Sequence, residues 1–155
     1  MSEAFADALY FEDVEVGRVF HKSATFEVTR EEVIEFARRW DPRPFHVDDA
    51  AAAQSVFGSL AACSAHIFSI LSWFASRGEG RTASLSALGF DELRMLHPVR
   101  PGDTISCQIQ CLEKRESRSK QDRGIIRYQG KLVNQHGTTV FSAVVTTLVS
   151  KRPCG

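Results

Sequence analysis

The chain has 155 residues, 43% of them hydrophobic and 25% charged, and its 19 Lys and Arg balance its 19 Asp and Glu. That length suits one domain with a packed core and leaves little for a second, and the composition excludes a disordered or collagen-like chain. With no basic excess, neither a nucleic-acid partner nor a membrane surface is expected.

Residues 1–9 lack a positive segment followed by an apolar core, so no signal peptide is expected. The longest apolar stretch, residues 60–75, carries His66 and is too short and too polar for a membrane span. The four cysteines, Cys63, Cys107, Cys111 and Cys154, form no CxxC pair. They read as small apolar residues in a reducing compartment. A soluble, cytoplasmic chain is the expectation.

Residues 10–18 read as an irregular lead-in with a turn at Gly17, and residues 19–28 as a strand. Thr29 then suits a helix N-cap, and Glu32 three residues on completes a capping box. Val33, Phe36, Ala37 and Trp40 follow at i, i+3, i+4 and i+7, an apolar helix face. Pro42 ends the helix, because the residue before a proline is driven out of the α region. The run Asp41-Pro42-Arg43-Pro44-Phe45-His46 has two prolines two apart, which predicts a stiff, extended path. Residues 48–54 read as a short Ala-rich helix or turn. Residues 60–76 predict a long helix, apolar nearly all round and therefore buried, ended by Gly78 and Gly80.

The second half reads as strands. Residues 83–92 are one; residues 93–96 lead into a loop and turn through Pro98, Pro101 and Gly102. Residues 104–113 alternate with period two, placing Cys107 and Cys111 on one sheet face. Residues 116–123 are strongly charged and predict an exposed hairpin tip. Residues 124–134 and 138–150 are two further strands joined by a turn at residues 135–137. One strand, helices, then about four strands is an α+β order: an antiparallel β-sheet wrapped around a long central α-helix, the hot-dog arrangement.

Asp41 and His46, five apart, are the strongest candidates for chemistry. A carboxylate and an imidazole can together position and activate a water, and an imidazole exchanges protons near neutral pH. The same residues also fit a helix exit with Asp41 as a cap and His46 on the surface. At residues 62–64, the unpaired amides that open the long helix could polarise a docked carbonyl, or the small residues there could serve close packing alone. Ser72 either faces a substrate or bonds its own helix backbone. His66, with no GxSxG motif or triad, reads as a structural core histidine. His46 with Asp48 or Asp49 lacks the further ligands of a metal site. Arg94, Arg100 and Asp103 surround a Pro-Gly turn, where either a solvated turn or an arginine contact with a phosphate-bearing ligand fits.

Together these residues resemble the MaoC-like dehydratase family. The helix from Thr29 leads into Asp41, Pro42, Arg43, Pro44, Phe45 and His46, a close variant of that family's signature. Val56-Phe57-Gly58 and Ala61-Ala62-Cys63-Ser64 match its Phe-Gly segment and its small-residue helix mouth. The runs from Gly89 to Arg94 and from Pro98 to Thr104 match its first central strand and Pro-Gly-Asp turn. The resemblance covers about residues 10–150 of a single domain spanning 1–155.

The resemblance implies a hot-dog fold, usually dimeric or higher, and hydration of a 2-enoyl thioester or the reverse dehydration. It implies Asp41 and His46 as catalytic residues, the Ser64 backbone N–H as oxyanion donor and Ser72 as a substrate-side serine. No metal or other cofactor is implied, since coenzyme A enters as part of the substrate. The partners implied are an acyl-CoA or acyl-carrier thioester and further copies of the chain, as a homodimer or dimer of dimers. Two residues depart from the family pattern: Arg43 stands where Asn or Gln is frequent, and Ser64 where Gly is usual. Arg43 thereby becomes a candidate substrate contact. The alternatives are a hot-dog thioesterase, disfavoured because residues 59–76 contain no Asp or Glu, and a non-catalytic acyl-CoA-binding subunit.

Overall fold

In the computed structural model, residues 5–154 are described; residues 1–4 of the N-terminal segment considered above lie outside this range. A 3-10 turn at Phe11–Asp13 precedes two short strands, β1 (Val19–His21) and β2 (Phe26–Glu27). Three helices follow, α1 (Arg30–Trp40), α2 (Pro44–Val47) and α3 (Asp49–Ala53), then the central helix α4 (Ser64–Ala75). Four long strands complete the chain: β3 (Ser84–Met95), β4 (Thr104–Glu116), β5 (Arg123–Val133) and β6 (Thr139–Ser150). The strand order is β1-β4-β5-β6-β3, with β2 also on β4, and every pairing is antiparallel.

The sheet packs on α4 as the alternation of its strands requires. Ile67, Ile70, Leu71 and Phe74 of α4 meet Ile105, Cys107 and Ile109 of β4, Leu132 of β5 and Phe141, Ala143 and Val145 of β6. Each large apolar side chain so buried contributes about 1.5–3 kcal/mol relative to exposure. Gly130 lets helix and sheet approach closely: a Cβ there would lie 2.5 Å from a methyl carbon of Leu71. No helix among the described residues is long and apolar enough to cross a membrane.

The expected strand over residues 19–28 is broken in two. The buried Lys22 turns inward, its Nζ donating to the carbonyl oxygens of Arg77, at 2.7 Å, and Glu79. Those bonds serve carbonyls beyond the end of α4, while the Lys22 N–H still donates to Cys107 O of β4 at 3.0 Å, so the break falls at residues 23–25.

The expected helix over residues 60–76 starts later, at Ser64. Ala62 N–H donates to Val99 O at 2.8 Å, which holds residues 60–63 extended against the loop after β3. Nor is α4 buried all round, since Ser64, Ala65, Ser69 and Ser72 are exposed. Strand β3 runs past residue 92 to Met95, accommodating a register shift between Asp91 and Arg94 with Glu92 at φ 51°.

The two prolines do not make the whole 41–46 run extended. Arg43 is extended, but Pro44 is the first residue of α2. A proline at that position loses nothing, because the first helical amide has no partner to lose. The hairpin tip over residues 117–122 and the turn near residues 135–137 lie where the sequence places them.

Candidate active site

Helix α1 delivers Asp41. Thr29 caps its start, its Oγ1 accepting from Glu32 N–H at 3.2 Å. Asp41 is the C-cap residue, its N–H donating to Ala37 O at 2.8 Å, with non-helical φ −154° and ψ 74° ahead of Pro42. The chain reverses at once: Arg43 N–H donates to Asp41 O at 2.8 Å and His46 N–H to Arg43 O at 2.9 Å. Helix α2 thus turns the His46 side chain back toward the residue that ended α1.

His46 is buried, with its ring against Phe45 at 4.5 Å and Phe57 at 6.2 Å between centroids. Its Nδ1 lies 2.6 Å from the carbonyl oxygen of Ala61. A carbonyl only accepts, so Nδ1 carries the proton and neutral His46 presents a bare Nε2. Nε2 lies 3.8 Å from Asp41 Oδ2. That gap is too wide for a direct hydrogen bond, and two acceptors face each other across it. A water donating one hydrogen to each suits both. The other carboxylate oxygen, Oδ1, lies 3.3 Å from Arg43 Nε.

The segment that orients His46 is itself held. Arg100 donates from Nη2 to Phe57 O at 2.6 Å and from Nη1 to Ser59 O at 3.2 Å and to the Ser59 hydroxyl. Together with the Ala62–Val99 bond, this fixes the Ala61 carbonyl. Arg100 therefore serves the loop, and its own turn is closed by Arg100 N–H donating to Asp103 at 2.8 Å. Arg94 donates to the neighbouring Leu93 O at 3.2 Å, away from this segment.

Asp41, Arg43, His46 and Ser64 line one cleft of about 280 Å³. Phe45, Phe57, Ile67, Met95 and Leu96 supply apolar wall, and His97 and Pro98 close one side. Ser64 is the first residue of α4, and the N-cap Cys63 makes no side-chain cap bond. Ser64 lines the same cleft as the Asp–His pair, so the helix start, with its positive partial charge, lies beside them. Burial pushes the Cys63 thiol above its ordinary range, and the negative charge of nearby Asp41 acts in the same direction.

Ser72 is not brought to this cleft. It lies two turns along α4 on its exposed side, in a separate groove of about 200 Å³ with Phe90, Tyr128 and Thr147. His66 faces the other way: Nε2 meets Glu32 Oε1 at 3.1 Å, and the ring stacks on Phe36 with centroids 4.7 Å apart. Its Nδ1 has no hydrogen-bond partner among the described residues. No group of three or more His, Cys, Asp or Glu side chains among the described residues is placed to hold a metal ion.

Several parts of the site escaped sequence reasoning. The Ala61 carbonyl is backbone chemistry and leaves no mark in residue type. The Arg100 clamp spans 41 to 43 residues of sequence. His97 reads in the sequence as part of a loop; its place just before Pro98, beyond a strand, is the available signal.

Residues 12–133 match the family model for the MaoC like domain. The fold is similar to that of a MaoC-like dehydratase from Rhodospirillum rubrum, with a TM-score of 0.89, 33% identity and coverage of 95% of this chain and 100% of that one. It is also similar to the R-hydratase PhaJ1 from Pseudomonas aeruginosa, with a TM-score of 0.73, 24% identity and coverage of 94% and 88%. A Mycobacterium tuberculosis protein described as having a double hot-dog fold matches with a TM-score of 0.80 and 13% identity, over 96% of this chain and 46% of that one. The antiparallel sheet wrapped on α4 is thus a hot-dog fold, and with its family model matched over most of its length this chain belongs to the MaoC-like dehydratase family.

Proposed function

We propose that the protein is a hydratase/dehydratase acting on a 2-enoyl or 3-hydroxyacyl thioester, with coenzyme A as the carrier. The observation that carries this reading is the 3.8 Å gap between Asp41 Oδ2 and His46 Nε2, set in the same cleft as the amide end of α4. A water held by both groups faces a thioester whose carbonyl oxygen meets the Ser64 N–H. As the water oxygen bonds to the β-carbon, the pair takes one of its protons. Negative charge moves through the former double bond to the carbonyl oxygen, where the Ser64 amide and the helix end stabilise it. The pair then returns a proton to the α-carbon, so that H and OH have added across the double bond. Dehydration runs the same steps backwards. Asp41 and His46 supply all the proton transfer, and we assign no metal and no redox cofactor.

We further propose a homodimer, formed through β3. This strand pairs with β6 on one side only, and Leu85, Leu88, Phe90, Leu93 and Met95 are each at least 40% exposed. An edge strand so apolar is a template for a second copy. The four free cysteines suit a reducing compartment, and we place the protein in the cytoplasm.

The test is to incubate the protein with crotonyl-CoA and longer enoyl-CoAs and to follow loss of the conjugated thioester absorbance, with free thiol measured in parallel. Hydration removes the absorbance without releasing thiol. Thiol release in its place would sink the hydratase reading in favour of hydrolysis.

A further inference from the structure

Arg43 takes no part in the proton transfer, yet it lines the cleft beside the reacting groups. Its closest approach to Asp41 is Nε to Oδ1, at 3.3 Å, and its side chain is 67% exposed. Nη1 and Nη2 meet no partner among the described residues, so the terminal edge of the guanidinium is free. That edge presents parallel N–H donors in the geometry that a carboxylate fills with two bonds. An arginine devoted to Asp41 would bond it through that edge, and no hydrogen bond joins the edge to Asp41.

We infer that the acyl part of the substrate carries a carboxylate, bound by the free edge of Arg43. This rests on the hydratase reading. An anion on that edge lies close to Asp41, and hence close to the β-carbon on which Asp41 acts. The phosphates of coenzyme A are separated from the thioester carbon by the whole pantetheine arm, so the anion at Arg43 belongs to the acyl chain. Phe45, Phe57, Ile67 and Leu96 line the cleft and supply apolar wall for the acyl carbons between the thioester and the carboxylate. The substrate class is a carboxylate-bearing 2-enoyl thioester or its 3-hydroxy hydrate.

The experiment compares kcat/KM for hydration of crotonyl-CoA and of (E)-glutaconyl-CoA, a crotonyl chain with a terminal carboxylate. It uses the wild type, Arg43→Gln and Arg43→Lys, and is repeated with the pantetheine thioesters, which lack phosphate. The wild type is expected to favour the carboxylated chain by at least about tenfold, the scale of a charge-assisted pair. Arg43→Gln brings the ratio close to one, and Arg43→Lys, a point charge without the fork, keeps part of it. The pattern persists with the pantetheine thioesters. Hydration of both acyl chains with no preference, or a preference unmoved in Arg43→Gln, overturns the inference and leaves the hydratase reading standing. An Arg43 effect that is equal for both chains and disappears with the phosphates also overturns it, assigning Arg43 to the carrier. Hydration of none of these thioesters overturns the inference and the hydratase reading together.

Discussion

The carbonyl oxygen of Ala61 lies 2.6 Å from His46 Nδ1 and thereby decides which ring nitrogen of His46 faces Asp41. In His46→Asn, the side-chain amide stands in for Nδ1–H and keeps the bond to Ala61 while removing Nε2. In His46→Ala, both are lost. Both variants are expected to lose at least about 10²-fold in hydration rate, the scale of missing general acid–base help. Only His46→Ala should also lose stability, by about 1–3 kcal/mol, since it leaves a buried carbonyl unpaired. Denaturant midpoints beside initial rates check the pair, and wild-type turnover in His46→Asn would remove His46 from the chemistry.

Asp41→Asn keeps the shape of the C-cap residue and removes the charge. The hydration rate should fall at least about 10²-fold, while the helical circular dichroism signal stays put because the α1 cap bond is made by the Asp41 backbone. A drop in rate that merely tracks unfolding would contradict this.

The Gly130–Leu71 approach predicts a steric effect in the core. Gly130→Val places side-chain carbons where Leu71 already sits. Overpacking of this kind costs about 1–3 kcal/mol. Thermal unfolding should show it, and Leu71→Ala in the same chain should recover part of the loss if the clash is with Leu71.

Thiol reactivity follows from burial. Cys63, Cys107 and Cys111 are buried and Cys154 is exposed. Burial pushes the Cys107 thiol up to about 12, so at pH 8 it stays protonated and unreactive. Native protein should yield one fast-reacting thiol with an aromatic disulfide reagent, and unfolded protein four. Cys154→Ser should remove the fast phase.

The β3 edge predicts an oligomer that charge can break. Leu85→Lys combined with Leu88→Lys puts two cations on side chains that are 42% and 52% exposed in the single chain. The dimer dissociation constant should rise by at least about tenfold, equivalent to ~1.4 kcal/mol. Sedimentation equilibrium on wild type and variant measures it; a wild type that is monomeric at every concentration would rule out the interface.

Much of this protein is legible in residue order alone. Thr29, Glu32 and the i, i+3, i+4, i+7 apolar positions determine α1 and end it at Asp41, because capping and amphipathicity are local. Period-two alternation over residues 104–113 determines β4, because a strand in contact with a core on one face must alternate, and the turn at residues 135–137 separates β5 from β6. The nearness in sequence of Asp41 and His46 marks the candidate site, and the runs they stand in mark the family. Tertiary structure alone decided the rest. It ended the extended stretch at Ser64 through a bond from Ala62 to Val99, and it drew the Lys22 ammonium to two distant carbonyls at the point where the first strand breaks. Ser72 and Arg43, both expected at one site, went to different places. Arg43 reached Asp41, whereas Ser72 faces a groove on the outer side of α4. The pairing of Asp41 with His46 was likewise settled by the Ala61 carbonyl. A backbone carbonyl is the same in every residue, so only the fold that carries it across 15 positions can give it this task.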